Sequence, residues 1–298
     1  MNHELESFRD IELQHKDTLN DSFFKYNCVI SSYNFANLFM WGRLHKYKWS
    51  LFQGRIVIYT EIDDLAVMPL GEPVSASDIL HLSDALISQG RKGNFSFVPV
   101  DFVDKNREAL ENHFHIESDE NNADYVYSAK KLFELSGKKL QKKKNLLNQF
   151  QRNYPDYICK RLDPGHYNEC IDLNEKWCQD KTCNVVSFAY ETEALRVGCR
   201  YYRELELDGV IILIGDKVIA FTVFNRQNAN MALVHFEKYD REIKGAGQAI
   251  NWEAAKYLKD QYEFVNREQD LGLEGLRQAK QSYSPEYQVL SYRLTRKL

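Results

Sequence analysis

Residues 263–285 read EFVNREQDLGLEGLRQAKQSYSP. A short apolar run, Glu263–Val265, leads into Asn266, Arg267, Glu268 and Asp270. A glycine-containing turn follows, and then a helix start that carries Arg277 and Lys280. A core does not require charges of both signs at the end of a strand. Such a cluster marks a polar pocket at a strand-to-helix junction, where α/β proteins bind ligands.

Working back from that stretch, the second half has the clearer pattern. Residues 157–162 read as a strand, 166–180 and 191–207 as helices. Three β-rich runs at 209–214, 218–224 and 231–236, joined by short polar turns, form an antiparallel meander. A loop at 240–245 opens a long helix at 246–259, followed by the 263–265 strand, a short helix at 274–280 and a last strand near 287–294. The first half repeats this order more weakly. A helix is expected over 21–41, strands at 46–52, 55–59 and 65–68, and a helix at 77–89 capped by Ser75 or Ser77. A strand at 94–98, a helix at 107–114 and a strand at 125–127 complete it. A duplicated αβ unit is the simplest account. The expected division is a first domain over 1–135, a linking helix over 136–155 and a second domain over 156–298.

The linking helix places Lys138, Lys139, Lys142, Lys143 and Lys144 within seven residues, beside an apolar stripe of Leu140, Leu146, Leu147 and Phe150. Two readings stand open: a solvated face, or a patch for the phosphates of a ligand or an RNA. The whole chain carries −4, so any such attraction is local. At 298 residues and 44% hydrophobic content, with 17 Phe and 18 Tyr, it can build two cores. The charged N-terminus and the lack of a ~20-residue apolar run predict a cytoplasmic protein with no signal peptide and no integral membrane segment. Six cysteines show no CxxC pair, and Cys178 and Cys183 fit no common zinc spacing, so no metal site and no disulfide framework are expected. P-loop, HExxH, GxSxG and dinucleotide fingerprints are absent.

The element order resembles the GCN5-related N-acetyltransferases, whose strand, loop and helix corresponding to residues 231–259 bind a pyrophosphate at the helix N-terminus. Three longer segments resemble a narrower family. YVYSAKKLFELSGKKLQKKKNLLNQF (125–150), FEKYDREIKGAGQAINWE (236–253) and FVNREQDLGLEGLRQAKQSYSP (264–285) look like the DUF2156 proteins, which are similar to the C-terminal domain of phosphatidylglycerol lysyltransferases. That resemblance spans about residues 20–295. It implies an α+β fold of two tandem acyl-CoA N-acyltransferase-like domains with mixed central sheets flanked by helices, as in the FemABX aminoacyltransferases. It also implies acyl or aminoacyl transfer, from acyl-CoA or aminoacyl-tRNA, to a small-molecule amine acceptor, with no tightly bound cofactor. The lysine-rich helix is the candidate tRNA contact.

Under that resemblance Phe236, Arg241, Lys244, Gly245 and Gly247 form the donor site. The family pattern has Gln or Arg three residues before the first glycine, where this chain has Glu242. Glu237 is a candidate base or amine-binding carboxylate, and Tyr283 a candidate acid for the leaving group. His235, among apolar neighbours, is expected to be a hydrogen-bonded core residue. Asn266, Arg267, Glu268 and Asp270 are assigned to the amine pocket, Arg277 and Lys280 to a shared anion, and Lys143, Lys144 and Asn145 to substrate. A non-catalytic ligand-binding module on the same fold and a tRNA-binding adaptor are the alternatives.

Overall fold

The computed structural model describes residues 5–177 and 185–297, which form two compact units. The first comprises Met1–Asp124, Gln269–Gly272 and Val289–Leu298; the second comprises Tyr125–Glu268 and Leu273–Gln288. The boundary therefore falls at residue 124 rather than 135, and the expected linking helix belongs to the second unit.

The first unit contains β1 (Arg9–Asp10), α1 (Lys16–Lys25), α2 (Phe35–His45), β2 (Tyr47–Phe52), β3 (Arg55–Thr60), β4 (Leu65–Val67), α3 (Ala76–Ser88), β5 (Asn94–Pro99), α4 (Val100–Glu111) and β6 (Phe114–Ser118). One helix was expected over 21–41; there are two, because Asn27 adopts φ 47° and Asn34 starts α2 by accepting the Asn37 N–H. Ser75 caps α3 with Asp78 in a reciprocal capping box. The helix expected at 107–114 instead begins after Pro99 and stops at Glu111, leaving Phe114 to open a strand. Phe95, Val98, Leu82, Leu86 and Phe114 fill this unit's core.

The second unit contains β7 (Asp124–Ser128), α5 (Ala129–Glu134), α6 (Gln141–Asn153), β8 (Ile158–Arg161), α7 (Tyr167–Lys176), α8 (Val185–Arg200), β9 (Asp208–Ile214), β10 (Lys217–Arg226), β11 (Met231–Tyr239), α9 (Ala246–Leu258), β12 (Phe264–Asn266), α10 (Glu274–Gln281) and β13 (Tyr287–Val289). The last strand, β14 (Ser291–Arg296), pairs in the first unit's sheet. The sheet orders are β1-β2-β3-β4-β5-β14-β6 and β13-β7-β12-β11-β10-β9-β8, so each unit has a mixed seven-stranded sheet flanked by helices. The single C-terminal strand expected near 287–294 is thus two strands in two sheets, and the strand at 125–127, assigned to the first half, pairs with β12 of the second. Residues 178–180 of the first expected helix, together with Cys178 and Cys183, lie outside the described residues.

The meander forms because β9, β10 and β11 are apolar on both faces, and helices cover both. Gly209 lies against the neighbouring strand: a methyl there would sit 2.4 Å from the Thr222 carbonyl oxygen. Leu147 and Phe150 of α6 and Ala249, Ile250 and Ala254 of α9 pack on one face, with Val234, Val265 and Tyr283. The stripe read on the basic helix is therefore a core stripe.

Candidate functional site

The site grows out of a one-residue irregularity in β11. Thr222 pairs with Glu237 and Val223 with Phe236, but Phe224 pairs with Val234, so His235 is an extra residue. A bulge of this kind shifts the alternation of side chains by one position. Val234 packs against α9, and three residues on, in a regular strand, Glu237 would point to the opposite face. The bulge returns it to the α9 face, where Asn251 of α9 donates to its Oε2 at 3.3 Å. His235 bonds Asn225 Oδ1 at 3.0 Å through Nε2, and its Nδ1 lies 3.5 Å from Glu268 Oε1.

Strands β11 and β12 run parallel, but their pairing covers only Met231–Leu233 against Phe264–Asn266. Beyond that point β11 continues to Tyr239 while β12 ends, leaving a splay. Arg267 spans it, donating through Nη2 to Glu237 Oε1 at 2.7 Å, with the two side chains 13% and 14% exposed. Burial pulls the Arg267 pKa down, but the neighbouring Glu237 charge more than compensates and leaves it raised. The guanidinium lies 5.5 Å from the Tyr127 ring and 5.2 Å from the Tyr283 ring, both cation–π distances. Its Nη1 is buried without a hydrogen-bond partner.

Lys143 of α6 places its ammonium 4.3 Å from the centre of the Tyr283 ring. Burial lowers its pKa, the Arg267 and Lys142 charges add to that, and Glu237 opposes it. Tyr283 is 7% exposed, and burial holds its phenol well above the ordinary range, with Arg267 pulling the other way. Under this layer Lys280 is also buried. Its ammonium donates to the carbonyl oxygens of Arg267 and Glu268, and Tyr127 donates to the Lys280 carbonyl at 2.8 Å. Lys280 therefore braces the 267–268 backbone, where Glu268 sits at φ 57° and takes Asn266 Oδ1 as the acceptor for its N–H.

The structure thus gathers Glu237, Arg267, Tyr283 and Lys143 into one cluster, with Lys280 and Asn266 supporting it. Other expected residues stand elsewhere. Phe236 is buried, and Arg241 stacks on Trp177 at 3.8 Å. Lys244, Lys144 and Asn145 are exposed, and Gln141 donates to Asn145. Asp270 belongs to the first unit and caps its own turn by accepting the Gly272 N–H at 2.8 Å. Arg277 is half-buried on α10. The two glycines of the first turn of α9, expected as a phosphate cradle, are closely packed on the side where a Cβ would stand. Gly245 has φ 89°, and a methyl there would lie 2.5 Å from the Leu146 carbonyl oxygen and 2.8 Å from Phe150 Cβ. A methyl on Gly247 would lie 2.6 Å from the Tyr239 ring. Close packing accounts for both glycines.

Three contributors went unread in the sequence: Tyr127, Asn251 and Thr222. The first arrives on a strand from the other half of the chain, and the third is exposed to the site only through register. Asn251, a polar residue amid the apolar face of a helix, was a usable signal. Among the described residues no group of three or more His, Cys, Asp or Glu could hold a metal ion, and no helix is long and apolar enough to cross a membrane.

Paired mixed sheets, each flanked by helices, with a bulged and splayed strand ahead of a long helix, define a tandem protein of the GCN5-related acetyltransferase fold. Residues 25–295 match the family model described as phosphatidylglycerol lysyltransferase, C-terminal, and the chain belongs to that family. A conserved protein of unknown function from Bacteroides thetaiotaomicron is 31% identical, with a TM-score of 0.89 over 97% of this chain and 99% of that one. L-PGS from Bacillus licheniformis is 14% identical, with a TM-score of 0.64 over 98% and 94%. FemX is 8% identical, with a TM-score of 0.63 over 97% of each chain. At those lower identities the likeness is one of fold.

Proposed function

We propose that the chain is an aminoacyltransferase that moves an aminoacyl group from an ester on tRNA to an amine. The observation that carries this reading is the Arg267–Glu237 pair across the splay, with Arg267 Nη1 left without a partner. In transfer from an ester, the amine nitrogen attacks the carbonyl carbon and negative charge develops on the carbonyl oxygen. An N–H already fixed by a carboxylate and two aromatic rings suits that oxyanion, because it needs no reorganisation as charge appears. The ester C–O bond then breaks. Tyr283, kept protonated by burial, supplies a proton to the departing oxygen, and Lys143, whose charged form burial disfavours, accepts the proton lost by the amine. The exposed Lys138, Lys139, Lys142 and Lys144 offer phosphate contacts to a polynucleotide carrier.

An acyl-CoA donor is the competing reading, with its pyrophosphate at the first turn of α9. The test is single-turnover transfer from bulk tRNA charged with radiolabelled amino acids to a panel of amines, run beside acetyl-CoA. Enzyme-dependent loss of label from tRNA, slowed at least about a hundredfold by Arg267→Met, is expected from loss of an oxyanion donor. Transfer from the thioester with none from tRNA would overturn the reading.

A further inference from the structure

The polar groups around Glu237 are ordered in a way that the proposed transfer does not by itself require. An ionised carboxylate only accepts, so each neighbour must turn an N–H toward it. Asn251 does so through Nδ2 at 3.3 Å and Arg267 through Nη2 at 2.7 Å. This fixes which way the Asn251 amide faces. Its Oδ1 is turned away from Glu237, and it is buried with no donor. Thr222 stands directly opposite Glu237 in the β10–β11 register, so their side chains share a face. Its hydroxyl oxygen is also buried with no partner, and the residue is 0% exposed. Buried polar atoms left without partners are costly, and a protein that keeps several beside one carboxylate holds them for something.

Two unmatched oxygens and a carboxylate suit a group rich in N–H and positive charge. A primary ammonium has three N–H bonds and no acceptor; a carboxylate or phosphate at the same place would face the Glu237 carboxylate and the Asn251 carbonyl oxygen, with only the Thr222 O–H to donate to it. On the other flank of Glu237 the unmatched atom is a donor, Arg267 Nη1. The sequence of chemistry is therefore acceptor, carboxylate, donor. An α-amino ester has the complementary sequence, an ammonium one carbon from a carbonyl oxygen.

We infer that Thr222 and Asn251, with Glu237, bind the free α-ammonium of the aminoacyl group and make the site selective for donors whose amino group is not acylated. This rests on the aminoacyl reading above and adds the two residues that would enforce it. N-acetylation removes the charge and two of the three N–H bonds, leaving both buried oxygens unmatched when the donor is in place.

The experiment uses the full chain and two readouts. The first is thermal-shift titration with twenty amino-acid amides and their N-acetyl counterparts, which carry the carbonyl without the tRNA. At least one amide should raise the midpoint, and its acetylated form should not. Thr222→Val, which keeps the shape and removes the hydroxyl, should weaken that amide by about ten- to a hundredfold, the range for one hydrogen bond to a charged group. Asn251→Leu should do the same, and the valine variant guards against a leucine variant that fails to fold. The second readout compares transfer from aminoacyl-tRNA and N-acetyl-aminoacyl-tRNA; the wild type should prefer the first, and Thr222→Val should narrow the preference by a similar factor. If the wild type transfers both equally, or if both variants keep the preference, the assignment is wrong while the aminoacyl reading stands. If no aminoacyl group leaves tRNA at all, the aminoacyl reading itself has failed. A water filling the gap would leave every amide without effect on the midpoint, which also overturns the inference.

Discussion

Replacing Glu237 with Gln removes one charge from a pair held at 2.7 Å and about nine-tenths buried. At an effective dielectric of about 20 the direct attraction at that separation is roughly 6 kcal/mol, most of it offset by the desolvation of both groups. The single variant therefore does not lose the attraction alone; it leaves a guanidinium buried without its counter-charge, at a cost of about 3–5 kcal/mol. The Tyr127 and Tyr283 rings contact the guanidinium before and after the change, so they do not offset this, and a net loss of about 3–5 kcal/mol is expected. The double variant Glu237→Gln/Arg267→Met removes the stranded charge as well and should recover to within about 1 kcal/mol of the parent. Denaturant unfolding of the four proteins at one ionic strength measures this cycle, provided the slopes agree. A single variant within about 0.5 kcal/mol of wild type would refute the reasoning, for it would mean that water reaches and screens the pair.

Gly245→Ala must place its side chain at φ 89°, with a methyl 2.5 Å from the Leu146 carbonyl oxygen. Backbone strain and overpacking together should cost about 2–5 kcal/mol, read as a lower denaturation midpoint; a midpoint shift worth less than about 1 kcal/mol would show that α6 can stand off the turn. Asp240 is buried, and burial pushes its carboxyl up, but the Glu242 N–H, Lys217 and Lys176 outweigh that and leave it below its ordinary value. A depressed folded value contributes stability that is complete above the unfolded pKa of about 4 and is lost as pH falls through the folded value. Asp240→Asn should destabilise by about 2 kcal/mol at pH 7 and flatten the acid limb of a pH–stability curve; an unchanged limb would remove Asp240 from that role.

The meander was legible because three continuous β-rich runs are separated by short polar turns that carry Gly or Asn, as at Gly215 and Asn228–Asn230. Ser75 was legible as a cap because the capping interaction is local. What escaped was non-local. Nothing near Ser291 says that it pairs with Pro99, and nothing near Tyr127 says that it lies beside Val265. The bulge at His235 also escaped, since one extra residue alters no composition and reverses every face after it. Glu237, Arg267 and Tyr283 could be named as a polar set, but not their partners. Lys280 is paired with Arg277 in the sequence because the two lie i and i+3 on a short helix and could share an anion; in the structure two carbonyl oxygens receive its ammonium. Gly245 and Gly247 were legible as a special turn; that α6 and the Tyr239 ring pack closely against them was not.

The placement of Ser291–Arg296 between β5 and β6 has a consequence for biosynthesis. On the ribosome the first six strands emerge early, yet the slot between β5 and β6, one place in from the sheet edge, stays empty until residue 296 clears the exit tunnel. Until then Phe95 and Phe114 lack the cover of Leu294, and two strand edges stand open to other chains. Synthesis at ~5–20 residues per second makes that exposed interval many seconds long, which is the window in which chaperones would act on this polypeptide.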